Sequence, residues 1–258
     1  MASFEHGGLG IYYEESGRGD PLLLMPGFSG TIATYQPLRA RFAERYRVIA
    51  ADLPGSGRSL PQPRTYGTDY HHRDAEAFAA LLQSLGCGPS HLLGHSDGGE
   101  VAVVMAEQFP GQARSVMAWG AVGVVSDPDG WVAKAFRNAV DVPFEGMEGY
   151  RTYLIDTYGE GKARAIVRSF ADGFEAIIAA GGDISRSSAH QIACPVLLMA
   201  GQDDGMCPPS LVRELAALIP GAEVVVAEGA GHIIHDDRPE WFVRTVEDWL
   251  ARQSAAAA

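Results

Sequence analysis

The period of the hydrophobic pattern changes along the chain, and that change predicts its architecture. Residues 3–16 carry two short strand-like pieces around Gly7-Gly8, a hairpin signal, with Ile11-Tyr12-Tyr13 in the second. Continuous apolar runs follow at Leu22–Met25, Val48–Ala51, Leu92-Leu93, Ser115–Trp119, Pro195–Ala200 and Ala222–Ala227. Runs so short and so apolar fit strands buried on both faces of a sheet. Between them the apolar residues recur at helical spacing. Stripes of this kind run from about Tyr35 to Tyr46, from Tyr70 to Leu85 (Ala75, Phe78, Ala79, Leu82), from Val101 to Phe109, from Pro209 to Ile219 and from Pro239 to Arg252. Strand and helix in alternation imply a mostly parallel sheet of eight strands, opened by an antiparallel hairpin and flanked by helices on both faces. The Ala255–Ala258 tail is expected to fray.

The alternation breaks between residues 126 and 190. Aromatic and apolar residues at helical spacing (Trp131, Phe136; Tyr150, Tyr153, Leu154, Tyr158; Ile166, Phe170, Phe174) are separated there by Gly, Pro and Asp, without a strong strand. This predicts a small helical cap over the carboxyl edge of the sheet, inserted into a core made of residues 1–125 and 191–258.

Composition narrows the function. With 258 residues, 47% of them apolar, the chain can bury one large core. Lys and Arg number 20 against 32 Asp and Glu, a net charge of −12, which argues against a nucleic-acid partner or an anionic membrane surface. No apolar run approaches the roughly 20 residues of a membrane-spanning helix. Cys87, Cys194 and Cys207 show neither paired nor metal-type spacing, and the N-terminus lacks a basic region followed by an apolar one; a cytoplasmic protein with reduced thiols and no metal is expected.

The chemistry concentrates at the strand-to-helix junction Gly94-His95-Ser96-Asp97-Gly98. Gly-x-Ser-x-Gly between a strand and a helix is a nucleophile elbow, a sharp turn that presents the serine in a strained conformation; small residues on either side let strand and helix approach. A serine hydroxyl needs a base, and the base needs an acid to orient it. The next strand to end in a carboxylate-bearing loop presents Asp203 and Asp204, and the one after presents His232, the Ser, Asp, His order of such enzymes. Asp204 is favoured over Asp203, because Gly201-x-x-Asp spacing sets it one residue deeper in the loop. Both loops lie past the carboxyl ends of strands, where ligands bind in open α/β sheets. His235 reads as a packed or solvated histidine.

A tetrahedral intermediate needs two N–H donors for its oxyanion. Asp97, following the nucleophile, is expected to give one. Phe28, behind Pro26-Gly27, is expected to give the other through its main chain, leaving its side chain to line the acyl pocket. The Asp97 carboxylate either pairs with a cationic group on the substrate or caps its helix. Asp52, in Asp-x-x-Gly-x-Gly-x-Ser, reads as a loop-fixing acceptor. Asp127 and Asp129 read as solvated turn residues. His71 and His72 have no evident partner.

The motifs LLLMPGFSG, DLPGSGRS, LLGHSDGGE, AWGAVGVVSDPDG, ACPVLLMAGQDDGMCP and GAGHIIH together resemble the biphenyl-hydrolase-like group of α/β-hydrolases, the group that includes valacyclovir hydrolase. The resemblance covers most of the chain and is weakest in the cap, from about Val132 to Ala189. It implies an α/β-hydrolase fold, a triad of Ser96, Asp204 and His232, no cofactor, and recognition of the α-amino group of amino-acid esters by Asp97. The expected activity is hydrolysis of small carboxylic esters through an acyl-enzyme. A carbon–carbon bond hydrolase or lactonase would use the same triad, and a small-molecule receptor could retain it; a perhydrolase is a further rival.

Overall fold

The computed structural model describes residues 2–127, 129–143 and 147–256. Ala257 and Ala258 of the expected frayed tail, and residues 128 and 144–146 of the expected cap, lie outside them. An antiparallel hairpin, β1 (Ala2–His6) and β2 (Leu9–Ser16), opens the sheet. The other strands are β3 (Pro21–Met25), β4 (Arg47–Ala51), β5 (Ser90–His95), β6 (Ala113–Trp119), β7 (Val196–Gly201) and β8 (Glu223–Ala227). The sheet has eight strands in the order β1-β2-β4-β3-β5-β6-β7-β8, antiparallel at β1-β2-β4 and parallel from there on.

Helices α1 (Gln36–Phe42), α2 (Tyr70–Ser84), α3 (Asp97–Gln108) and α7 (Pro209–Leu218) carry connections between strands, and α9 (Pro239–Ala256) closes the chain after β8. The closing helix thus continues past Arg252. Because side chains alternate across a strand, each parallel strand feeds two cores. Leu23, Met25, Ile49, Leu92, Val116 and Leu198 pack with α2 and α3 on one face. Their neighbours Leu22, Leu24, Val48, Leu93, Met117 and Leu197 pack with α1 and α9 on the other. This two-sided burial is why the strands read as continuous apolar runs.

The segment after β6 folds as α4 (Trp131–Asn138), α5 (Glu148–Tyr158) and α6 (Glu160–Ala179), with a small core of Ala139, Val140, Leu154, Ala163 and Val167. Asp127 differs from the expectation of a solvated turn. It is buried, and its carboxylate accepts the Val132 and Ala133 N–H groups at 3.2 and 3.0 Å, so it serves the first turn of α4. Asp129 is exposed. A four-residue helix, α8 (Ile234–Asp237), which the periodicity could not reveal, sits between β8 and α9. No helix among the described residues is long and apolar enough to cross a membrane.

Candidate active site

Ser96 lies between the end of β5 and the start of α3 with φ 51° and ψ −121°. A non-glycine residue adopts such a backbone only where its surroundings hold it there. They do so through two hydrogen bonds, Ser96 N–H to Trp119 O at 2.8 Å and Glu100 N–H to Ser96 O at 2.9 Å. Side chains on the flanking glycines would prevent the junction from closing: a Cβ on Gly94 would lie 2.1 Å from Gly98 O, and one on Gly98 2.4 Å from Pro26 O.

Asp204 follows β7 and His232 follows β8, and the two meet, His232 Nδ1 lying 2.8 Å from Asp204 Oδ2. The other Asp204 oxygen accepts the Met206 and Cys207 N–H groups, both at 2.9 Å. Burial pushes the Asp204 carboxyl up, but the His232 hydrogen bond and charge, with those two N–H groups, outweigh it and hold the pKa below the usual range. Asp203 is exposed. Ser96 and His232 line one cavity, with Asp97, Glu100, Tyr70 and His71 on its polar side and Val122, Val125, Phe136, Phe170, Phe174 and Ile184 among its apolar walls. A larger space, lined by Tyr12, Glu14, Asp52, Arg58 and Tyr153, includes neither Ser96 nor His232 in its walls.

The loop bearing His232 is fixed by its neighbours. His95 donates Nε2–H to His232 O at 3.0 Å, and Trp119 donates Nε1–H to Nδ1 of the buried His235 at 3.0 Å. Burial, with His232 nearby, pushes both His95 and His235 below their ordinary value, His235 to about 4. Both act as neutral braces near neutral pH.

The turn after β3 approaches Ser96 closely: a Cβ on Gly27 would stand 3.0 Å from Ser96 Cβ. Within that turn the Ser29 N–H is taken by Ser56 Oγ and the Gly30 N–H by Gly27 O, each at 3.0 Å. Phe28 is thus the remaining N–H donor of the tip. Asp97 is the first residue of α3, where N–H groups have no acceptor within their own helix. The Phe28 ring, expected to line the cavity, does not do so. It stacks on Phe170 of α6 (centroids 3.7 Å apart) and meets Phe136 of α4 and Tyr66 edge-on, an aromatic cluster that encloses it.

Asp97 points its carboxylate towards α2, where Oδ1 accepts the Tyr70 hydroxyl proton and lies 3.3 Å from His71 Nε2. His71 therefore has the partner that its sequence context did not supply. Glu100 is buried and accepts the Val122 and Gly123 N–H groups at 2.7 and 3.0 Å; burial raises its pKa against the opposing effects of His71 and those N–H groups. Its only signal in the sequence is an acidic residue directly before the apolar run Val101–Ala106. No Lys or Arg lines the cavity among the described residues. Asp52 accepts the Ile32 and Arg58 N–H groups at 2.7 and 2.8 Å, tying two loops together.

Folding also brings Cys207 beside this pair: donor atoms of Asp204, Cys207 and His232 all lie within 4.8 Å of one another. The set is poorly suited to a metal. Burial pushes the Cys207 thiol well up, it donates to Gly120 O at 3.2 Å, and the facing Asp204 and His232 atoms already bond each other.

Comparison with known proteins matches residues 22–245 to the alpha/beta hydrolase family. The chain is 28% identical to serine hydrolase BPHL of Mus musculus, over 94% of this chain and 84% of that one. It is 25% identical to 2-(acetamidomethylene)succinate hydrolase of Mesorhizobium japonicum, over 95% and 92% of the two chains. Among solved structures, the enol-lactonase of Burkholderia xenovorans superposes with a TM-score of 0.78 over 97% of this chain and 100% of that one, at 22% identity, a likeness of fold.

Proposed function

The chain belongs to the alpha/beta hydrolase family, and from that premise we propose that it is a serine esterase cleaving small carboxylic esters through an acyl-enzyme. The observation that carries this reading is the 2.8 Å contact of His232 Nδ1 with Asp204 Oδ2, His232 lining one cavity together with Ser96. Asp204 accepts the Nδ1 proton and leaves Nε2 as the basic nitrogen. His232 takes the Ser96 proton as the hydroxyl attacks the ester carbonyl, and returns it to the departing alcohol. The Phe28 and Asp97 N–H groups receive the negative charge that develops on the carbonyl oxygen. A water, deprotonated by His232, then releases the acid and restores Ser96.

The cavity's electrostatics support a substrate subclass. With Asp97 and Glu100 on its polar side and no Lys or Arg in its walls among the described residues, it disfavours an anionic acyl group. Esters carrying a free amine suit it better, the ammonium meeting Asp97. A lactone is an internal ester that the same groups would open. The three cysteines are unpaired, which fits work in the reducing cytoplasm.

The test is a panel of plain esters, amino-acid esters, lactones and a carbon–carbon bond substrate, assayed on the parent and on Ser96→Ala. Turnover of amino-acid esters and its loss in the variant are expected. Undiminished activity of Ser96→Ala would end the reading, and activity confined to lactones or to the carbon–carbon substrate would replace it.

A further inference from the structure

Ser29 is held by more polar contacts than its place in a short turn requires. It is 1% exposed, and its φ of 57° is one that L side chains rarely adopt. Gly27 to Gly30 form a tight turn closed by Gly30 N–H to Gly27 O at 3.0 Å. Ser29 occupies its third position, where a positive φ ordinarily selects Gly. Here a serine is kept there by others. Its N–H is held by Ser56 Oγ at 3.0 Å, and its hydroxyl lies 2.9 Å from the Tyr150 hydroxyl. Its carbonyl accepts two phenolic protons, from Tyr153 at 3.0 Å and Tyr158 at 2.7 Å. Tyr158 in turn accepts the Gly57 N–H at 2.7 Å, so its hydroxyl also ties in the loop after β4.

All three tyrosines belong to α5, a helix of the cap, while the turn they grip belongs to the core. The grip bears on one amide in particular. Gly27 O and Phe28 N–H share a planar trans peptide, so anchoring the oxygen on Gly30 N–H aims the Phe28 N–H in the opposite direction. That aim persists only while the turn keeps its shape, and the turn keeps its shape only while Ser29 stays at positive φ.

We infer that Tyr153 and Tyr158 are positioning residues: through the Ser29 carbonyl they hold the turn that aims the Phe28 N–H at the developing oxyanion, so that docking of α5 completes the oxyanion hole. The inference rests on the assignment of Phe28 as an oxyanion donor under the proposed function. Neither tyrosine lines the cavity with Ser96 and His232, so their loss acts on the reacting carbonyl rather than on substrate binding.

The test is Tyr153→Phe, Tyr158→Phe and their double variant. Steady-state ester hydrolysis is measured together with the rate at which a p-nitrophenyl phosphonate phosphonylates Ser96, with nitrophenolate leaving. That reaction also places negative charge in the oxyanion hole but needs no deacylation. The double variant is expected to lose at least fivefold in kcat and in phosphonylation rate, with KM changing by less. Should it not fold, Tyr158→Phe alone is expected to lose at least threefold in both rates. Smaller losses, or a change in KM larger than that in kcat, would overturn the inference. Ser96→Ala in the same assays separates the two levels: activity in that variant defeats the serine mechanism itself, whereas an inactive Ser96→Ala beside normal tyrosine variants defeats only the positioning role.

Discussion

His71 Nε2 stands 3.3 Å from Asp97 Oδ1, and the Tyr70 hydroxyl donates to the same oxygen. Two consecutive residues at the start of α2 thus hold the carboxylate that follows Ser96. The first turn of α3 gains no hydrogen bond from a side chain of the preceding residue, and the Asp97 carboxylate is directed across to α2 instead. Asp97 is oriented by tertiary contacts rather than employed as a local cap.

Asp97→Asn keeps the size and an acceptor for Tyr70 but removes the charge. The ratio of kcat/KM for an amino-acid ester to that for the matching plain ester is expected to fall at least tenfold, about 1.4 kcal/mol. Hydrolysis of the plain ester should change much less. An unaltered ratio means that the ammonium is not held here.

Asp204→Asn preserves the shape of the acid's loop, since an amide oxygen can still accept the Met206 and Cys207 N–H groups. It offers His232 the wrong tautomer when the amide nitrogen faces the ring. A fall in kcat of roughly 10⁴-fold is expected by analogy with triad enzymes, with a thermal midpoint close to the parent's. Steady-state kinetics beside a melting curve checks both halves.

Gly120 has φ 66°, and a Cβ placed on it would meet His232 Cε1 at 2.7 Å. Gly120→Ala therefore combines backbone strain of roughly 1–2 kcal/mol with displacement of the His232 ring. Activity should drop at least tenfold while the circular dichroism of the fold is retained; full activity would show that the imidazole does not need its present position.

Burial pushes His91 down to about 4 from the ordinary 6.5, with Arg114 adding to the shift, and His235 is likewise lowered to about 4. In the unfolded chain both rings take up protons as pH falls through the ordinary value, while the folded rings resist until about 4. Stability is therefore full above that window and declines across it, by up to about 1.4 kcal/mol per pH unit for each ring. Urea midpoints should fall steadily between neutral pH and the folded values. His91→Gln should make the decline shallower, and an unchanged slope would remove His91 as a cause.

Arg64 Nη1 donates to Asp74 Oδ2 at 2.7 Å, and both side chains are almost wholly buried. Arg64→Met leaves the acid without its cation in a region from which water is excluded. A loss of roughly 3–5 kcal/mol in unfolding free energy is expected, measured by denaturant titration at neutral pH. The double variant Arg64→Met with Asp74→Leu should recover much of it.

The strands and the order of the chemistry were legible because they rest on local signals. Leu22–Met25 and Val196–Gly201 are apolar on both sides because each faces two helical layers, and that burial is written into composition alone. Ser96 was legible because only small residues permit its turn. The partners of Asp97 were not: Tyr70 and His71 lie far from it in sequence, on a helix whose periodicity gives no sign of what its first turn touches. The same holds for Phe28, whose backbone context is local but whose ring is claimed by Phe170 of the cap.

By itself, then, the sequence determined the alternation of strand and helix, the strained elbow at Ser96, and the loops that end in Asp204 and His232, because periodicity and turn chemistry act over a few residues. Tertiary structure alone decided that His71 and Tyr70 orient Asp97, and that three tyrosines of α5 grip Ser29. Those relationships join segments brought together by packing. They depend on which way side chains point once the sheet has twisted and the cap has docked, and no spacing along the chain encodes that direction.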